Sequence, residues 1–133
     1  MENEHLLVKI TQKALIIIDH KLLLVREGKT WELPGGRVDK GEMNLPEALK
    51  RELLEELSLR ININDIFTTY LFAKSSGEVS LAIIYKCEIL NPLNTIKLRE
   101  GEVDEYKLFS QEELSKLENI FPNSIGAINK VEL

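Results

Sequence analysis

Three glutamates, Glu52, Glu55 and Glu56, stand three and four residues apart in the run REL-LEEL, a spacing that stacks side chains on one face of a helix. Like charges at that spacing cost a helix about 0.2–0.5 kcal/mol per pair. Glu55 and Glu56 also fall in the last turn, where the helix dipole favours cations. Two unfavourable terms thus act on the same residues. A divalent cation would relieve both, and ligands that are all carboxylate suit a hard ion such as Mg²⁺ or Mn²⁺. The plainer reading is a solvated acidic face carrying an Arg51–Glu55 ion pair.

The element that must carry these acids is a helix over residues 45–57. Asn44 is its N-cap, Glu47 completes a capping box, and Pro46 lies in the first turn, where a missing N–H is tolerated. Leu49, Leu53 and Leu57 share one arc with Leu54 on its flank, so the apolar stripe and the acids face different ways. Ahead of the helix, Trp31-Glu32-Leu33-Pro34 leads into Gly35-Gly36, where glycine lets backbone groups approach a ligand closely.

The stretch GGRVDKGEMNLPEALKRELLEELSL resembles the Nudix box, G-x5-E-x7-R-E-U-x-E-E-x-G-U, with U a bulky aliphatic residue. Gly36 and Glu42 match at the family spacing, and Arg51, Glu52, Leu53, Glu55, Glu56 and Leu59 fill the second half in register. Two positions depart from it. Eight residues separate Glu42 from Arg51 where the family has seven, and Ser58 stands in place of Gly. The additional residue is placed at Met43–Asn44, since loops absorb insertions and helix registers do not. Ser58 is tolerable because a helix can end without a left-handed glycine.

The rest of the chain frames this motif. Its 133 residues make one domain, 1–133, with a 44% hydrophobic, 29% charged composition ordinary for a globular protein. A net charge of −5 argues against nonspecific binding of nucleic acid, though not against nucleotides bridged by a metal. The single cysteine, Cys87, rules out an internal disulfide and points to the cytoplasm; an acidic, polar N-terminus shows no signal peptide, and no apolar run spans a membrane. With only His5 and His20, zinc-type ligation has no basis. Asp39-Lys40-Gly41-Glu42 lacks the alternating ligands of an EF-hand.

Strands are expected over residues 6–10, 14–18, 22–25, 61–72, 79–89 and 106–109. Turns fall at Asp19-His20-Lys21 and residues 74–78. In 79–89, Ile83, Tyr85 and Cys87 share one face and Ala82, Ile84 and Lys86 the other, making Cys87 a core thiol rather than a nucleophile. Ser110 and Glu113 form a second capping box for a helix reaching about Glu118, with Leu114 and Leu117 inward. Residues 99–105 make an acidic loop with only Arg99 to offset it. Arg26 leaves its strand as either a solvated end or a phosphate contact. The tail from Phe121 could add a short helix, and a homodimer is compatible with the sequence.

Patterning alone supports a domain of α plus β; the resemblance implies a Nudix-type α/β/α sandwich with a mixed, curved sheet between helices. It implies Mg²⁺-dependent hydrolysis of a nucleoside diphosphate linked to another group, a small-molecule nucleotide. Glu52, Glu55, Glu56 and the Gly35 carbonyl would hold the metal, and Arg51 would orient the acids. Arg26, Gly36 and Glu42 stand as the substrate-binding residues, with Glu42 supporting the loop or a second metal. EVDEYKLFSQEEL is similar to the stretch that follows the box in relatives, with Leu108 where Trp is common. It gives Glu102 as the distal acid, so Glu52 and Glu102 both stand as the base. No proline lies between Pro46 and Pro92, where ADP-ribose-cleaving relatives carry one; a nucleoside triphosphate or nucleotide sugar is the expected substrate. The alternative is a Nudix-fold module that binds nucleotide without turnover.

Overall fold

The computed structural model describes residues 4–133; the first three residues of the N-terminal stretch read above lie outside it. β1 (Lys9–Ile18) is one strand where two were expected, and Leu6 and Leu7 lie exposed ahead of it. The polar run Thr11-Gln12-Lys13 that suggested a break is buried instead. Partners inside the fold make this tolerable: Gln12 Nε2 donates to the Leu45 carbonyl at 2.8 Å, and Lys13 Nζ to the Glu32 carboxylate at 2.5 Å. A tight turn follows, in which Asp19 and His20 both take positive φ (51° and 61°), the signature of a type I′ hairpin.

β2 (Lys21–Glu27) is longer than its apolar stretch, and two three-residue strands, β3 (Thr30–Glu32) and β4 (Gly35–Arg37), were not anticipated. β1 holds parallel β6 (Val79–Ile89) along one edge. Its other edge is shared: β2 pairs only at Ile17 and Ile18, and β4 takes Thr11, Gln12 and Lys13. β1 and β2 therefore part beyond the hairpin. β2 continues with β3 on one edge and β7 (Glu105–Phe109) on the other. β5 (Ile61–Ala73) closes the order β3-β2-β1-β6-β5, antiparallel to β6. Its Asn62-Ile63-Asn64-Asp65 pattern does not interrupt the strand; register shifts at Ile63/Asp65 and Ile66/Thr68 absorb it.

Strand alternation divides two cores across this mixed, unclosed sheet. Ala14, Ile16, Leu23, Ile83, Tyr85 and Cys87 face α1 (Leu45–Leu57) and meet its Leu49, Leu53 and Leu57. Leu15, Leu22, Leu24, Ala82 and Ile84 face α2 (Gln111–Lys116) and α3 (Pro122–Lys130). Burial of Leu49, Leu53 and Leu57 contributes about 1.5–3 kcal/mol each before entropy is counted. Leu54 stays exposed on the flank. Cys87 is a core thiol, its pKa pushed up to about 12 by burial.

The helix ends differ from expectation in detail. Asn44 Oδ1 accepts the Glu47 N–H at 3.2 Å, but Glu47 turns to Lys50 instead of reaching back, so only half of the capping box forms. At α2 both halves form between Ser110 and Glu113, and that helix stops at Lys116, two residues early. Ser58 itself takes the left-handed conformation (φ 55°, ψ 32°), so α1 does end in the geometry that favours glycine. The tail acquires a role: α3 presents Ser124 Oγ to the Leu33 N–H at 2.9 Å, and Trp31 exchanges main-chain bonds with Asn119 and Phe121.

Candidate active site

The divergence of β1 and β2 leaves a cavity of about 330 Å³ beside α1. Gly35 and Gly36 of β4, Glu52, Glu55 and Glu56 of α1, and Arg26 at the end of β2 all line it. β4 requires its glycines. Gly35 has φ 138°, and a Cβ there would overlap the Gln12 carbonyl; a Cβ on Gly36 would lie 2.9 Å from the Glu52 carboxylate. The box loop and box helix therefore close on each other at backbone-to-carboxylate range.

Arg51 forms the hub of the polar network. Its guanidinium donates to Glu42 at 2.9 and 3.2 Å, to Glu55 at 2.9 Å and to Glu52 at 3.4 Å, with Asp39 at 3.6 Å. Arg51 and the Asp39 N–H hold the Glu42 carboxyl below the usual carboxylate range, while those acids raise the guanidinium pKa. Glu42 is thereby committed to bracing the loop and does not line the cavity. Met43 projects into solvent (92% exposed) ahead of an unbroken α1, which is where the additional residue was placed.

Glu56 is treated oppositely. Burial raises its pKa to about 8, assisted by the charge of Glu52, a hydrogen bond with Glu52 and the charge of Glu102; Lys13 opposes the rise. Among the described residues Glu56 has no ion pair, and no three acidic, histidine or cysteine side chains form a ready cage. Glu55 is turned away to Arg51 and to Arg99, the latter at 3.8 Å. The residues nonetheless fit a hard divalent cation in chemistry: two oxygen donors are held together against both desolvation and repulsion, the arrangement a cation relieves.

Glu102 reaches the cavity on a loop fastened at both ends. The Lys97 and Arg99 N–H groups donate to the carbonyls of Leu57 and Glu56, satisfying the end of α1, and the Asp104 N–H donates to Arg26 O. Arg26 is neither free nor merely solvated. It donates to Glu105 at 3.0 Å, lies 3.8 Å from Asp104 and stacks over Trp31 at 5.9 Å. Arg99 is therefore not the sole offset for the loop's acids. Sequence reasoning missed Lys13 and Glu32, whose pairing spans 19 residues, and Arg37, which lines the cavity and pairs with Glu78 at 3.1 Å. A lysine inside an apolar strand was the one available signal.

The NUDIX domain family model matches residues 11–129. No curated protein matches the chain in sequence. Among solved structures it is similar to a MutT NUDIX hydrolase from Burkholderia pseudomallei, with TM-score 0.80 and 21% identity over 95% of this chain and 99% of that one. It is also similar to a MutT protein from Methanosarcina mazei Go1, with TM-score 0.72 and 27% identity over 86% and 85%. A UDP-X diphosphatase aligns with TM-score 0.74 and 20% identity over 92% of this chain, which spans 59% of that protein. These likenesses share the mixed sheet flanked by helices, and among the described residues no helix is long and apolar enough to cross a membrane. The chain belongs to the NUDIX domain family and is an enzyme of the Nudix hydrolase type.

Proposed function

We propose that this hydrolase cleaves the phosphoanhydride bond of a nucleoside diphosphate linked to another group, a nucleoside triphosphate or a nucleotide sugar, with Mg²⁺ or Mn²⁺ as cofactor. The observation that carries the reading is the Glu52–Glu56 pair, half-buried side by side at the cavity with, among the described residues, no ion pair on Glu56. Glu52 and Glu56 would hold the ion with the Gly35 carbonyl, and Glu55 would join on release from Arg51. Such an ion, when bound, neutralises phosphate charge and lowers the pKa of water. Hydrolysis forms a bond from water oxygen to phosphorus and breaks the bond to the bridging oxygen; the water proton passes to Glu102 or Glu52. Arg51, gripping Glu42, Glu52 and Glu55, orients the acids. Arg26, Arg37 and Arg99 line the cavity where the diphosphate would lie.

A second cavity of about 210 Å³ adjoins the first and shares Glu32, Gly35, Gly36 and Arg37 with it. Phe72, Phe121 and the buried amide of Asn123 line its far part, which supports a nucleotide with room for its base or sugar. The net charge of −5 supports a small-molecule nucleotide over nucleic acid. A panel of nucleoside triphosphates and nucleotide sugars, incubated with Mg²⁺ and assayed for released phosphate and nucleoside monophosphate, tests the reading. Turnover of at least one class is expected. Tight binding without turnover of any leaves the binding module.

A further inference from the structure

Lys13 is the residue of this site that the chemistry above leaves unused. It sits mid-strand in β1, 1% exposed, where a lysine is almost never found without a partner. Its ammonium is pinned between the Glu32 carboxylate at 2.5 Å and the Gly35 carbonyl at 3.2 Å. Those partners are the two ends of the turn Glu32-Leu33-Pro34-Gly35 that joins β3 to β4. Packing does not require the charge. β4 is already fastened by Ala14 N–H to Pro34 O at 2.8 Å and by Val38 N–H to Ile10 O at 2.9 Å. A buried ion pair is often no more stabilising than apolar residues of equal volume. What an apolar residue could not do is orient the Gly35 carbonyl, or hold a fixed positive charge within the field of Glu56.

We propose that Lys13 is a positioning residue of the hydrolytic site: clamped by Glu32, it fixes the Gly35 carbonyl beside the carboxylates of α1 and thereby sets the affinity for the divalent cation. The inference rests on the metal-dependent reading given above. Gly35 is the residue through which Lys13 acts: it lies against the Gln12–Lys13 backbone, and the next residue, Gly36, packs against the Glu52 carboxylate. Such outer supports of a metal ligand are typically worth 10–100-fold in affinity.

The test is a Mn²⁺ titration followed by electron paramagnetic resonance, run beside steady-state kinetics and thermal melts. In Lys13→Met/Glu32→Gln both charges of the buried pair are removed together, so the fold is expected to persist with a wild-type melting temperature or higher. Mn²⁺ Kd should weaken by about 10–100-fold, with the loss in kcat rather than KM. Lys13→Arg keeps the charge and the fold but displaces the donor from Gly35, and should weaken Mn²⁺ binding by a smaller factor, about threefold or more. Wild-type Mn²⁺ affinity in both variants overturns the proposal, as does a wild-type protein that binds no Mn²⁺. A wild type that binds Mn²⁺ but turns over no nucleotide sinks the hydrolase reading instead, and the Kd comparison still decides Lys13.

Discussion

Two acidic stretches meet at the cavity, one on α1 and one in residues 99–105, and the fold balances their charge differently. In the loop, Asp104 and Glu105 give their charge to Arg26, and Glu102 lies 3.7 Å from Arg99. On α1, Arg51 takes Glu55 and part of Glu52, while Glu56 is left with a carboxylate neighbour and a raised pKa. Repulsion alone would have treated the two clusters alike. The difference shows that acidity by itself marks nothing; the informative acid is the one that, among the described residues, pairs with none of the protein's own cations.

Removing that acid should produce the largest effect. Glu56→Gln keeps size and loses charge, and loss of a direct ligand should exceed the 10–100-fold typical of outer supports in kcat/KM. Stability should hold or rise, because the desolvation that makes an ionisable carboxyl unfavourable at this position is relieved. Near-normal turnover at saturating Mg²⁺ would break the comparison outright.

Within the loop, the comparison predicts that one acid matters and its neighbours do not. Glu102 is the member that lines the cavity, whereas Glu105 is spent on Arg26. Glu102→Gln should lower kcat by about 10²-fold or more with little change in KM, the scale of a lost general base. Glu100→Gln and Glu105→Gln should change it far less. Equal behaviour of the three variants would make the loop a solvated surface and Glu52 the better base.

The third expectation concerns pH. Glu56 in the metal-free fold holds its proton to about pH 8, against an ordinary value of 4.5 when unfolded. Between those values the folded state binds more protons than the unfolded one, so stability must fall as pH rises from about 5 to 8. Glu113 runs the other way: the Ser110 N–H and Lys107 hold it at about 2, so its contribution is present above 4.5 and lost as pH falls toward 2. Melting temperatures at pH 5 and 8, with and without Mg²⁺, check this. Mg²⁺ should flatten the alkaline decline, and Glu56→Gln should abolish it without metal.

The sequence made the box helix legible because its signals are local: a leucine stripe and acids at fixed offsets lie within 13 residues, and the Asn cap directly precedes them. β6 and its two faces were readable for the same reason, a period of two sustained over one strand. What stayed hidden depends on partners far away in the chain. Thr11-Gln12-Lys13 looked like a break because Leu45, Glu32 and Gly35, which accept from Gln12 Nε2 and Lys13 Nζ, are 19 or more residues distant. Arg26 could not be assigned until Glu105, 79 residues on, was brought beside it by the β2–β7 ladder. Glu42 reads as an ordinary motif acid in sequence, and only the geometry shows it locked to Arg51 outside the cavity.

The smallest predicted effect separates the stability of α1 from the charge it carries. Ser58 ends the helix at φ 55°, ψ 32°, where its Cβ crowds the following carbonyl, a cost of about 1–2 kcal/mol that glycine escapes. The cap is otherwise well made. The Ser58 N–H bonds to Leu54 O at 3.0 Å, the Leu59 N–H bonds back to Leu53 O at 3.3 Å, and Leu59 is fully buried behind them. Asn91 Nδ2 donates to the Ser58 carbonyl at 3.1 Å, so the main chain there is fixed whichever side chain is present. Glycine removes the strain but gives the unfolded chain more freedom, which returns part of the gain. Ser58→Gly should therefore raise unfolding free energy by about 0.5–1 kcal/mol, read from the urea midpoint at constant slope. Mn²⁺ affinity should stay within about twofold, because Glu52 and Glu56 are set by the helix register rather than by its last residue. If Ser58→Gly stabilises the fold yet weakens metal binding, the strained end helps to aim the acids, and the contrast between α1 and the loop becomes one of backbone geometry as well as of charge.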